Sequence, residues 1–131
     1  MLEILHDFWP TLLVGQYPNG PLGGLALTLI LAICGLALSL PLALLLALAR
    51  VSSIRPLALF ASGLVQIVRS MPLLMLIFWA YFAVPKLTGY SVSGFTTLVC
   101  ALVIYESAYL SEVIRSGIEA IPKGQIEASR S

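Results

Sequence analysis

Charge is what this sequence has least of. Seven Lys and Arg with six Asp and Glu leave only 10% of its 131 residues charged. A soluble domain keeps about a quarter of its residues charged, because its surface must be wetted. So few charges cannot cover such a surface, and lipid is expected to cover much of it. There is no run of Lys or Arg, and the net charge is +1, so nothing is present to follow a nucleic-acid backbone. The single histidine, His6, precedes the first long apolar stretch, and no nucleophile–base set accompanies it. Cys34 and Cys100 both lie in apolar stretches, where a thiol acts as a small hydrophobe. No disulfide, metal or cofactor is expected. Met1 to Asp7 carries Glu3 and Asp7 and no positive charge, which does not read as a cleaved signal peptide.

What is present is hydrophobic: 60% of residues, with a mean hydropathy of +1.02. The fold class this implies is an all-α membrane protein of one domain. Residues 1–21 read as a periplasmic or interfacial segment. Residues 22–49 hold no charge and span roughly 40 Å as a helix, more than the ~30 Å hydrocarbon core requires. Pro41 should bend this first span locally. Gly35, Ser39, Ala43 and Ala47 recur at every fourth position. Such a stripe lets a neighbouring helix approach closely, or arises by chance in an Ala- and Leu-rich segment.

Residues 50–56 form a polar turn. The second apolar run, 57–84, is interrupted at Arg69, Ser70 and Pro72. Each half is too short to span alone. One helix bent at Ser70 and Pro72 is the economical reading; an interfacial helix to Arg69 followed by a short membrane helix is the other. Trp79, Tyr81 and Phe82 gather near the far end, as an interfacial belt would. Residues 85–94 turn the chain. The third span, 95–115, contains Glu106 and Glu112, and Gly117 can close it. Residues 116–131 are polar and should include a short helix outside the bilayer, with Pro122 near its first turn. Glu119 and Lys123 could pair if the helix continues through them.

Basic residues set the orientation. Arg50 and Arg55 flank one turn, and Arg115, Lys123 and Arg130 follow the third span, whereas Lys86 stands alone on the opposite side. The positive-inside rule then puts the N-terminus in the periplasm and the C-terminus in the cytoplasm.

Two segments are more specific. Ala108 to Ala128 reads Ala-Tyr-Leu-Ser-Glu-Val-Ile-Arg-Ser-Gly-Ile, then Ile121-Pro122-Lys123-Gly124-Gln125-Ile126-Glu127-Ala128. It resembles the end of the third helix and the opening of the EAA loop in ABC-transporter permeases, most of all the polar amino acid permeases of bacterial binding-protein-dependent importers. Val68-Arg69-Ser70-Met71-Pro72-Leu73-Leu74 resembles that family's segment before the body of its second helix. The resemblance covers nearly the whole chain. Trp79, Tyr105 to Tyr109 and Arg69 to Pro72 look most like glutamate/aspartate permeases. Ser129 departs from the family's Ala. The chain also ends at Ser131, before the Gly that closes the family's loop and before two further helices, so an incomplete type I permease fold is expected.

The resemblance implies a multi-pass inner-membrane permease subunit of an amino acid importer. It implies a cytoplasmic ATPase that receives Ile121, Pro122, Lys123, Gly124, Gln125, Glu127 and Ala128 as a coupling helix. It also implies a second permease subunit and a periplasmic amino-acid-binding protein. ATP hydrolysis is expected in the partner, since this chain has no Gly-rich phosphate loop. A stand-alone channel or carrier, an intramembrane enzyme and an inactive permease fragment are the competing readings.

Arg69 and Glu106 are the candidate path residues, because ionisable groups within a span mark a path or an internal pair. By helical rise they reach similar depth: Arg69 ~18 Å up from Leu57, and Glu106 ~17 Å up from Gly117. They could form a structural salt bridge. They could instead hold a substrate, Arg69 taking its carboxylate and Glu106 its ammonium. Or Arg69 could snorkel outward. Glu112 and Arg115, three apart, are expected to pair locally or to form a solvated face.

Overall fold

A computed structural model describes residues 1–131. They fall into two compact units, Met1–Gly35 and Leu36–Ser131.

In the first unit, α1 (Leu2–Val14) carries Trp9 and Pro10 and ends at Gly15, whose N–H donates to the Thr11 carbonyl at 2.9 Å. Gly24 opens α2 (Gly24–Arg50) at φ 58, and a Cβ there would run into the Leu12 carbonyl oxygen. Only glycine suits that conformation at no steric cost. The expected first span is therefore a 27-residue helix, and it continues unbroken through Pro41.

The second unit is built on the end of α2, on α3 (Arg55–Ser70), and on α6 (Gly94–Glu119). Between the last two lie α4 (Leu73–Phe78), a π-helical turn (Trp79–Ala83) and α5 (Val84–Thr88), which run on without a gap. Pro72 causes the break after α3. A residue before proline is pushed out of the α region, and Met71 is extended at φ −98, ψ 140. Pro72 then serves as the cap from which α4 starts. The two arms, Arg55–Ser70 and Leu73–Thr88, meet at 103°. That is an elbow, far sharper than a proline kink within one rod.

Pro85 does not end the second arm, contrary to the turn expected at 85–94. Its ring removes a hydrogen bond to the turn before it, and the widened π turn sits at that place. The helix closes four residues later at Gly89, whose φ of 72 lets its N–H reach the Pro85 carbonyl at 2.9 Å. Such left-handed glycines commonly stop helices. Likewise α6 does not close at Gly117 but runs to Glu119. The Glu119–Lys123 pair is absent for that reason: Ala120 to Pro122 interrupts the helix, and Glu119 bonds Arg115 instead.

The core of this unit is small and made of small side chains. Val65, Val68 and Ala108 are buried together, with Leu46, Leu76 and Tyr105 packed on them. Ser39, Ala43 and Ala47 have no exposed surface at all, so these three positions of the stripe serve close helix approach. On α6 the buried residues are Thr97, Ala101, Ser107, Ala108 and Ser111. Meanwhile Leu45, Leu59, Phe60 and Val113 stand exposed. Small residues inside and large apolar ones outside is the arrangement of helices solvated by lipid. Helices α2 and α6 are long and apolar enough to cross a membrane, and the elbowed pair adds a third crossing if it counts as one span. A final helix, α7 (Lys123–Arg130), starts at Pro122 and is exposed throughout.

Candidate functional site

Near the foot of α6, one carboxylate gathers three guanidinium groups. Glu112 accepts from Arg50 at 2.6 Å and from Arg115 at 2.5 Å. Arg69 approaches the same carboxylate at 3.4 Å. Arg115 also donates to Glu119 at 2.6 Å. Glu112 and Arg115 thus form the local pair expected of their spacing, but they are part of something larger. The node joins α2, α3 and α6, and three guanidinium groups face two carboxylates. The Nε atoms of Arg50 and Arg115 are buried and make no hydrogen bond. The node is rich in donors and short of negative charge.

Arg69 and Glu106 do not form the ion pair that equal depth suggested. Arg69 turns to Glu112, while Glu106 accepts from the Ser39 hydroxyl at 3.3 Å. The depth count assumed that α3 rises along the membrane normal. Its 16 residues cover ~24 Å, yet Arg50, just before it begins, and Arg69, near its end, reach one carboxylate. Helix α3 therefore runs obliquely to α6. The head of Arg69 lies level with Glu112, ~9 Å along α6 from Glu106 by helical rise.

Tyr109 lines a recess with each of them. A polar recess of about 280 Å³ is lined by Gln66, Arg69, Ser70 and Tyr109. A second recess, of about 320 Å³, is lined by Leu36, Tyr105, Glu106, Tyr109 and Leu110. The Arg69 guanidinium lies 5.4 Å from the centre of the Tyr109 ring, within cation–π range. The Tyr109 hydroxyl donates to the Arg69 carbonyl at 3.3 Å, and the Tyr105 hydroxyl to that of Tyr109 at 3.4 Å. Arg69 and Glu106 thus line two separate recesses that share Tyr109. The first recess offers a cation to a carboxylate, and the second a carboxylate to an ammonium group.

The model of the family described as "Binding-protein-dependent transport system inner membrane component" matches residues 39–131. The chain belongs to this family. Its matched region starts at Ser39, takes in the whole node together with Arg69 and Glu106, and runs through α7. "Arginine transport system permease protein ArtQ" of Bacillus subtilis is 38% identical over 108 residues, 82% of this chain and 49% of the relative. "Glutamate/aspartate import permease protein GltK" of Escherichia coli O6:H1 is 36% identical over 115 residues, 82% and 51% respectively. A solved structure, "Crystal structure of an amino acid ABC transporter with histidines", superimposes with a TM-score of 0.75 at 38% identity, covering 82% of this chain and 50% of its own. The chain spans about half the length of the curated relatives it matches. Relatives named for arginine and for glutamate/aspartate match it almost equally well, so overall identity does not single out a substrate.

Within this family member, sequence reasoning found Arg69, Glu106 and the Glu112–Arg115 pair but missed the convergence. Arg50 read as a marker of orientation, and Tyr109 as part of a motif. The available signal was the spacing of Tyr109, Glu112 and Arg115, which share one face of a helix at three-residue steps.

Proposed function

We propose that this chain provides the membrane part of a permease subunit in an ATP-driven importer of acidic or other polar amino acids. The observation that carries the reading is the family match, which extends without interruption from Ser39 in the first span through the exposed polar helix α7. The amino acid permeases among the relatives support the substrate class. In this reading α2, the elbowed pair and α6 are three crossings, with the N-terminus periplasmic and the C-terminus cytoplasmic. Arg69 takes the carboxylate of the amino acid and Glu106 its ammonium, each from the recess it lines. A second permease subunit completes the path, and a periplasmic binding protein delivers the substrate.

Helix α7 docks the cytoplasmic ATPase, which hydrolyses ATP. Ile121, Pro122, Lys123, Gly124, Gln125, Glu127 and Ala128 are all exposed, free of any task in packing this chain. A polar helix held clear of the apolar bundle suits a groove on a soluble partner. Glu127→Lys reverses one charge on it and leaves the apolar helices untouched. The variant is expected to retain roughly a tenth of the ATPase on co-purification, the effect of losing about 1.4 kcal/mol of affinity. Full ATPase recovery together with unchanged uptake would remove Glu127 from the dock.

A further inference from the structure

Helix α3 ends at Ser70, one residue beyond Arg69 and just before the elbow. Carbonyls in the last turn of a helix lack partners within it. The Arg69 carbonyl finds one in the Tyr109 hydroxyl of α6, at 3.3 Å. Three residues further along α6, Glu112 holds the Arg69 side chain at 3.4 Å. Backbone and side chain of one residue are thus gripped by two residues on the same helix face. The grips are unequal to those around them. Arg50 is 11% exposed and bonds Glu112 at 2.6 Å, whereas Arg69 is 40% exposed at the longer distance. Arg50 is the standing counter-ion of Glu112, and Arg69 is the arm that can leave.

We infer that Tyr109 and Glu112 are positioning residues, a two-point latch that holds the elbow between α3 and α4 on α6 and aims Arg69 into its recess. Releasing the latch frees the elbow and swings the guanidinium away from the recess. The role assigned to Arg69 in transport rests on the reading above, whereas the latch is a property of the helices and is tested without transport.

The test is a distance measured by pulsed electron paramagnetic resonance on the chain in lipid nanodiscs. Spin labels are placed at Leu74, just past the elbow, and at Val113 on α6, both exposed, with Cys34 and Cys100 replaced by Ser. The native latch should give one narrow distance. Arg69→Gln and Tyr109→Phe should each broaden it and add a longer population, while Arg69→Lys, which keeps the charge, should stay nearer the native profile. Arg115→Gln touches Glu112 but not the elbow, and should leave the distance narrow. An unchanged distribution in Arg69→Gln would overturn the latch, as would equal broadening in Arg115→Gln. Loss of the importer reading alone would leave these distances as expected.

Discussion

Glu112→Gln is expected to be among the most damaging single substitutions in this chain, lowering stability by about 3 kcal/mol. Removing one partner of a buried ion pair costs about 3–5 kcal/mol, because the other charge is left uncompensated. The lower end applies, since Glu112 is 24% exposed. The substitution leaves Arg50, Arg69 and Arg115 converging with only Glu119 as a counter-charge. Arg69→Gln should behave differently. It removes the surplus positive charge and its loosest contact, so global stability should change by less than about 1 kcal/mol, as for a weak partly exposed pair. The double variant should then be more stable than Glu112→Gln alone, because one repelling charge is gone. Thermal unfolding of the detergent-solubilised protein, followed by size-exclusion fluorescence, ranks the three. Equal melting of Glu112→Gln and the native chain would show that the node holds nothing together.

Ser39→Leu should be comparably severe for a different reason. Ser39 has no exposed surface, and its hydroxyl hydrogen is shared between the Leu36 carbonyl at 3.1 Å and Glu106 at 3.3 Å. Side chains this tightly enclosed tolerate added methylenes poorly, at about 1–3 kcal/mol. Leucine would also remove the hydroxyl that hydrogen-bonds Glu106. Ser39→Ala separates the two effects, losing the hydrogen bond without added bulk, and should cost about 1 kcal/mol. The same unfolding assay reads both. If leucine is tolerated as well as alanine, the contact between α2 and α6 is looser than the burial of Ser39 implies.

Much of this architecture is legible in the residues. The uncharged run from Leu22 to Ala49 needs only the hydrocarbon thickness to be read as a helix, and Gly24–Arg50 is one. Positions 39, 43 and 47 announce close packing by their size, and they are the most buried residues of that helix. The three-residue spacing of Glu112 and Arg115 allows a local pair or a solvated face, and the structure has the pair. The break at Ser70 and Pro72 is equally plain, but its angle is not. Proline dictates that Met71 leaves the helical region; how far the next helix swings depends on what it packs against. That one unreadable angle accounts for the failed pairing of Arg69 with Glu106. Depth counted along a sequence assumes upright helices, and α3 is oblique. The convergence of Arg50 on Glu112 was hidden for the same reason, since it joins residues 62 positions apart. A proline and a glycine in the sequence suggest stops at Pro85 and Gly117, yet α5 runs to Thr88 and α6 to Glu119. A widened turn accommodates Pro85, and nothing near Gly117 obliges the helix to end there.

The most direct measurement of the central claim is uptake of labelled amino acid into proteoliposomes holding the permease with the ATPase and binding protein proposed for it. Glutamate, glutamine and arginine are each offered, with and without ATP, and with the ATPase present or omitted. The account predicts that at least one of them accumulates only when both ATP and the ATPase are present. Accumulation that persists undiminished without the ATPase would mean a self-contained carrier, and would contradict it.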